Sequence, residues 1–446
     1  MHKYCIIINT HRKITLLTCP NCYTILNDSI SFPGRRYQHM KRIEGGVTAA
    51  KGFLAGSAMA AIKQNKRDDM AFVVSEKPCV AAGTFTTNRV FAAPVKWDRK
   101  VVKESPMAQC MVINSGIANA CTGAEGDAAC EAEAKAVESV LNIPYKSVLI
   151  GSTGVIGMQL PVDKMVNAIR ENVGKLKETA EAGTKAARAI MTTDTHDKQV
   201  AVQIQIGGKT VTIGGMCKGA GMIHPHMCTM IACVTTDAMI TKELLQKAQS
   251  ETVDESYNMI SVDGDMSTND TAVVLANGMA GNPLIKDEGE DYQTFREALQ
   301  YVNTELAKNI AGDGEGCTCL FEAKVIGASY RDQARTLAKS IIQSNLTKAA
   351  IFGHDANWGR LLCAMGYSGA EFDPLKVDIW FESSAGKLKI VENGVATDYS
   401  EEKATEIMSQ NPVTAIADIK EGDVSATAWG CDLTFDYIKI NADYRS

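Results

Sequence analysis

No stretch of this 446-residue chain approaches the ~18 uninterrupted apolar positions that mark a membrane-spanning helix. The best run, 52–62, is short and broken by Gly and Ser. Eleven Pro and 36 Gly are too few for a collagen-like or a Pro/Gly-rich disordered chain. Fourteen Cys, about 3% of the chain, fall well below the density of a disulfide scaffold. Cys110, Cys233 and Cys363 lie inside apolar stretches, where a free thiol serves as a small hydrophobe. An excess of positive charge is also missing. Lys and Arg number 46 against 52 Asp and Glu, a net −6, which argues against general binding to nucleic acid or anionic membranes. The apolar stretch 5–8 is too short for a secretory h-region, so a reducing cytoplasm is the expected compartment.

Residues 1–39 read unlike the rest, with scattered basic residues, Cys5, Cys19 and Cys22, and no sustained periodicity. Cys19 and Cys22 form a CxxC that no second CxxC or spaced His pair completes, so a metal reading has little support. This segment is expected to be a tail or start-site extension ahead of Met40. Beyond it, short β-rich segments alternate with long helical patterns. Strands are expected at 70–75, 108–114, 147–151, 199–206, 210–213, 272–276, 323–328, 377–382 and 387–391. Helices are expected at 128–141, 162–191, 242–249, 292–311, 331–343, 355–365 and 400–409. Gly207-Gly208 reads as a hairpin turn. The pattern is that of a mixed α/β chain, with no linker rich enough to mark a domain boundary.

The usual catalytic signatures fail. Gly207-Gly208-Lys209-Thr210 imitates the end of a P-loop, but Gln203 stands where the first Gly is required. There is no strand-borne GxGxxG, no HExxH and no GxSxG elbow. Seven His are few, and His224 and His226 read as a metal pair or, more commonly, as polar loop residues. What remains is a constrained loop, Lys218 to Pro225, followed by an apolar β-like run from Thr229 to Asp237. A hydroxyl at such a junction suits a rigidly held nucleophile, although a buried strand opened by a β-branched residue is the commoner reading. Thr with its own freed α-amine as base, at an ordinary pKa of about 7.7–8.0, is an activated nucleophile that needs no His. The Gly-rich stretch 151–157, with Thr153, offers backbone N–H groups for a developing oxyanion, or is simply a strand-end turn.

Taken in order, these segments resemble the glutamate N-acetyltransferase, or ornithine acetyltransferase, family of arginine biosynthesis. The resemblance runs from about residue 40 to 446. It includes Thr86-Thr87-Asn88-Arg89 with Ala92-Ala93-Pro94-Val95, then Asn114 to Ala120, and Gly151 to Gly157. It continues through Met191-Thr192-Thr193-Asp194-Thr195, Asp263 to Asp270 and Gly312-Asp313-Gly314-Glu315-Gly316. Phe352 to Arg360, Cys431-Asp432-Leu433-Thr434 and Asn441 to Ser446 complete it.

The resemblance implies an α/β fold of stacked α/β/β/α layers, like that of the N-terminal-nucleophile hydrolases. It implies a precursor that cuts itself between Cys228 and Thr229, giving an α chain 40–228 and a β chain 229–446 in an α2β2 heterotetramer. Thr229 would carry acetyl from N2-acetylornithine to glutamate, with Thr153 and Gly154 as the oxyanion pair. Lys218, Glu315, Asn441 and Ser446 match substrate-contacting positions, as does Thr192, with Thr193 and Thr195 as rivals. A substrate carrying both charges needs a cation and an anion in its pocket, and Lys218 and Glu315 are one of each. Segments 263–270 and 353–360 are expected to be turns and helix caps that brace the site. No metal or bound cofactor is implied, and acetyl-CoA is left open as a second donor. Three positions depart from the family: Cys228 replaces Ala, His226 replaces Asn, and Cys319 stands where a basic residue is common. The alternatives are a self-processing amidohydrolase or aminopeptidase, with water as acceptor, and a non-catalytic paralogue.

Overall fold

The computed structural model describes residues 30–32, 35–37, 40–63, 66–224 and 230–442. Cys19, Cys22, His226, Cys228, Thr229 and Ser446 lie outside these residues. Within the expected tail, β1 (Ile30–Phe32) and β2 (Arg35–Tyr37) pair antiparallel. The first large unit then runs β3 (Lys41–Ile43), β4 (Phe53–Ala58), β5 (Met70–Phe85), α1 (Ala93–Glu104), β6 (Ala108–Ile117), α2 (Gly123–Leu141) and β7 (Val148–Val155). It continues with α3 (Val162–Asn172), α4 (Ala180–Ala189), β8 (Lys198–Ile206), β9 (Lys209–Lys218), β10 (Ile231–Thr236), α5 (Lys242–Asp254), β11 (Thr271–Ala276) and α6 (Glu290–Gly312). Nine strands connect in the order β3-β8-β9-β10-β11-β5-β6-β7, with β4 also on β5.

The long strand β5 makes this path fold over. Its first part pairs with β4 and β6, its last part with β11, and the intervening Glu76-Lys77-Pro78 is exposed. Alternation along each strand then feeds three cores. Met111 and Ile113 of β6, Leu149 of β7, Ile231 and Cys233 of β10 and Val273 and Leu275 of β11 meet between the two halves. Cys110, Val112, Val148 and Ile150 point the other way, onto Cys130 and Val137 of α2 and Met165 and Ile169 of α3. Ala232, Val234 and Val274 likewise pack outward against Leu245 of α5 and Val302 and Leu306 of α6. The order is helix, sheet, sheet, helix. Strands buried on both faces read as nearly continuous apolar runs, as β10 and β11 do.

The chain ends with β12 (Leu320–Ala328), α7 (Arg331–Gln343), α8 (Asn345–Phe352), α9 (Trp358–Gly366), β13 (Asp378–Ser383), β14 (Gly386–Glu392) and β15 (Val395–Ala396). α10 (Glu401–Met408), β16 (Val413–Asp418), β17 (Val424–Cys431) and α11 (Phe435–Ala442) complete it. Its six strands form a second sheet, β15-β14-β13-β16-β12-β17. One apolar core runs from Val200 and Leu306 to Phe321 and Trp429, so this sheet is continuous with the first unit.

Three expectations need correction. The helix foreseen over 162–191 is two helices, because the chain turns through a 3-10 segment at Val173–Lys175 and restarts where Thr179 accepts a hydrogen bond from Ala182 N. Residues 151–155 belong to β7 itself, since the parallel pairing with β6 continues to Val155 opposite Ile117. Cys363 is exposed: on the short helix α9, Leu361, Ala364 and Met365 occupy the buried face instead. The Gly207-Gly208 turn joins β8 to β9 as expected, with Ile206 opposite Lys209 and φ of +55° and +72°.

Candidate active site

The inner faces of the two sheets open at their strand ends into a cavity of about 240 Å3. On β9, Lys218 continues the face of Met216, and on β7, Thr153 continues that of Leu149, by the two-residue period of a strand. Each side chain therefore enters the cavity from its own sheet. Gly154 and Gly116 lie opposite each other in the ladder, with φ of +131° and +113°. A Cβ on Gly154 would come within 2.2 Å of the Gly116 carbonyl carbon, so only glycine fits there.

Thr153, Gly154, Thr192, Lys218, Glu315 and Asn441 all line this cavity, together with Thr193, Ser267, Thr268 and Asn269. Thr195 does not. Its hydroxyl and N–H donate to Asp313, and it faces a neighbouring surface cleft. Asn269 Nδ2 donates to the carbonyls of Ala118 (2.6 Å) and Ser152 (2.8 Å), tying the 263–270 turn to the ends of β6 and β7. Segment 353–360 is not among the lining residues; Asn357 caps α9 by accepting from Arg360 N. Cys319 is also absent from the lining and buried, held through its N–H to Asp432, with burial pushing its thiol up to about 12. Ile231, two residues beyond Thr229 in sequence, pairs with Lys218, and Met230 N donates to Asp270 Oδ1 at 3.2 Å.

Sequence reading missed the charged network beneath the cavity floor. The buried Asp194 accepts from Lys198 Nζ (2.7 Å), Gly219 N (2.7 Å) and Thr192 N (2.9 Å). Lys198 is fully buried and also bonds Asp313, whose carboxylate holds Thr195. Burial alone would raise the Asp194 carboxyl, but Lys218, Lys198 and the Gly219 N–H outweigh it and hold it well below the usual range. Lys218 differs. Its nearest carboxylate oxygen, Asp194 Oδ2, is 4.0 Å away, and burial lowers its ammonium despite Asp194 and Glu315. An anion brought into the cavity beside it would favour its charged form. Glu315 Oε2 accepts from Asn441 Nδ2 at 2.7 Å, and Gly221 leaves room for that carboxylate, which a Cβ would approach to 2.4 Å. The only advance signal for the network was the density of Gly, Thr and Asp in segments 191–195 and 312–316.

The cavity is not the largest. One of about 590 Å3 lies beside Trp97, Tyr145 and Met107, but none of the residues just described lines it. Among the described residues, no group of three or more His, Cys, Asp or Glu is arranged to hold a metal ion, and no helix is long and apolar enough to cross a membrane.

The ArgJ family model matches residues 54–446. The chain belongs to the ArgJ family. The Arginine biosynthesis bifunctional protein ArgJ of Caldanaerobacter subterraneus is 49% identical over 407 residues, covering 91% of this chain and 100% of that protein. ArgJ 1 of Clostridium acetobutylicum is 50% identical over 400 residues, 90% of this chain and 97% of the other. The crystal structure of ArgJ from Bacillus halodurans aligns with 47% of this ArgJ-family chain and 97% of its own, at 44% identity and a TM-score of 0.45. Ornithine acetyltransferase of Mycobacterium tuberculosis, complexed with ornithine, aligns with 43% of this chain and 100% of its own, at 37% identity and a TM-score of 0.39.

Proposed function

We propose that the chain transfers acetyl from N2-acetylornithine to glutamate through an acetyl-Thr229 intermediate, after cutting itself between Cys228 and Thr229. The observation that carries this reading is the single cavity in which a buried cation, Lys218, and a buried anion, Glu315, face the ends of both sheets. Lys218 takes the substrate carboxylate. Glu315, oriented by Asn441, takes the ammonium, with Thr192 and Ser446 adding polar contacts.

Thr229 Oγ attacks the acetyl carbonyl while the freed α-amine of Thr229 takes the hydroxyl proton. Thr153 and Gly154 donate to the oxyanion, and one such donor is worth about 10²–10³ in rate. Collapse expels ornithine, whose nitrogen receives the proton, and leaves an acetyl ester on Thr229. The glutamate amine then attacks that ester by the reverse sequence, giving N-acetylglutamate and the free Thr229. No metal or bound cofactor enters the scheme, and acetyl-CoA would load the same hydroxyl as a second donor. The chains 40–228 and 229–446 are expected as an α2β2 heterotetramer in the cytoplasm.

Intact-mass measurement on freshly purified protein tests the maturation step. Two fragments of roughly half size, the second beginning with Thr, support the reading, and a single chain stable on prolonged incubation sinks it. Acetylornithine turnover indifferent to added glutamate would favour the amidohydrolase alternative.

A further inference from the structure

We propose that Lys63 is a positioning residue whose ammonium joins the oxyanion strand to the substrate-facing segment 191–195. The inference rests on the acetyl-transfer reading above, and it adds a residue that none of the expected site positions includes. Asp69 pins the turn that carries Lys63, its carboxylate accepting from the N–H groups of Ala60 (2.7 Å), Ile62 (2.6 Å) and Lys63 (3.1 Å). The aliphatic stem of Lys63 then lies on Gly116, where an added Cβ would sit 3.1 Å from Lys63 Cγ. Gly116 in turn backs directly on Gly154. From this support Lys63 Nζ donates to the Met191 carbonyl at 2.6 Å, and Arg67 Nη2 donates to the same oxygen at 2.8 Å.

Two cations converge on one carbonyl at the start of the segment that presents Thr192 and Thr193 to the cavity. Of the two, it is the Lys63 ammonium whose charge responds to pH near neutrality. Burial, Arg67 and Lys218 lower the Lys63 ammonium to about 7 against the opposing pull of Asp69 and Asp194. Among the described residues, Arg67 and Asp69 act on it from its own turn, Lys218 from β9, and Asp194 from the loop before β8. As pH rises through about 7 the charged hydrogen bond becomes a neutral one, and the grip on Met191 weakens. The loss of charge also relieves the like-charge repulsion between Lys63 and Lys218.

The experiment compares wild type, Lys63→Met and Lys63→Arg as full-length, self-processed proteins, measuring kcat and KM for acetylornithine at about one pH unit below and above the Lys63 midpoint. Ornithine affinity by calorimetry and melting temperature are recorded beside them. Below the midpoint, Lys63→Met is expected to raise KM and ornithine Kd about ten-fold, as the loss of one charged hydrogen bond implies, with kcat changed less than KM. Above it the deficit shrinks, because wild type has lost its own charge, while Lys63→Arg stays tight at both. An unchanged Kd in Lys63→Met below the midpoint overturns the proposal. A deficit equal at both pH values, accompanied by a fall in melting temperature, overturns it too by marking a merely structural role. Should wild type bind ornithine but transfer no acetyl, the acetyl-transfer reading fails on its own, and the Kd pattern still decides the role of Lys63. Absence of ornithine binding in wild type overturns both.

Discussion

Glu133 sits fully buried on α2, and neither of its carboxyl oxygens has a hydrogen-bond partner among the described residues. Burial pushes its carboxyl up to about 8. Asp98 on α1 is similarly raised, by burial and then by Glu133, although one of its oxygens accepts from Ile150 N at 2.8 Å on the strand that carries Thr153. The linkage runs opposite to that of an ion-paired carboxylate. The folded pKa of Glu133 lies above the unfolded one, so its cost to stability is absent below about 4.5, grows with pH, and levels off above about 8. Glu133→Leu is therefore expected to stabilise the protein by about 2–3 kcal/mol near pH 8 and by little near pH 5. Thermal unfolding at the two pH values checks this, and an equal shift at both would refute it. Asp194 shows the contrasting case, a buried carboxylate with every neighbour a donor. Neither Glu133 nor Lys63 was legible in the sequence. A Glu on a helix and a Lys in a turn beside Arg67 read as solvated surface, and only the tertiary packing turns them inward. Thr153 and Lys218 lie in Gly-rich runs that invite attention, but Gly154, Lys218 and Glu315 received their roles only from the family resemblance, since each alone reads equally well as a turn or a surface charge.

At the scale of elements, legibility followed period and punctuation. Helix α7 was foreseen with its observed bounds, Arg331–Gln343, because a clean three–four spacing ends at a Ser. Strand β5 was foreseen only to Ser75, whereas the backbone stays extended through the exposed Glu76-Lys77-Pro78 to Phe85, with pairings to β6 on one side and to β11 on the other. Helix α11 was not foreseen at all: it is only eight residues long, and its apolar residues Phe435, Ile438 and Ile440 stay exposed instead of marking a buried face. What it does is deliver Asn441 to Glu315, with Phe435 set edge-on against Phe352 at 5.9 Å. Ile438 lies mid-helix and 63% exposed, so Ile438→Pro would break α11 at a local cost of about 3 kcal/mol without opening a core. The expected outcome is a melting temperature within a few degrees of wild type and ornithine binding weakened about ten-fold. A variant that binds ornithine as wild type does would mean that α11 contributes nothing to the pocket.

Across the whole molecule, the proposed cut falls inside one sheet. Strands β10 and β11 both follow Thr229, yet they lie between β9 and β5, which both precede Cys228. The halves are thus interleaved: β10 is bonded to β9 along its full length, and β11 to the far end of β5. The flanks of the cut are held as well. Met222 N and Ile223 N donate to Asp263 at 2.6 and 2.9 Å, across the two halves, and Met230 N is held by Asp270 within its own. Pulling the halves apart would expose Ile231, Cys233, Val273 and Leu275 to water, at roughly 1.5–3 kcal/mol for each large apolar side chain, and would break two strand pairings, leaving an unpaired edge on each of β9, β10, β11 and β5. Separation and unfolding are therefore one event. In a urea titration of the cleaved protein, the midpoint for fragment separation, read by sedimentation, should coincide with the loss of far-ultraviolet circular dichroism. Exchange of an isotope-labelled second fragment into unlabelled protein in plain buffer, with the dichroism unchanged, would show that the halves part while still folded, and that the interleaved sheet does not hold the mature enzyme together.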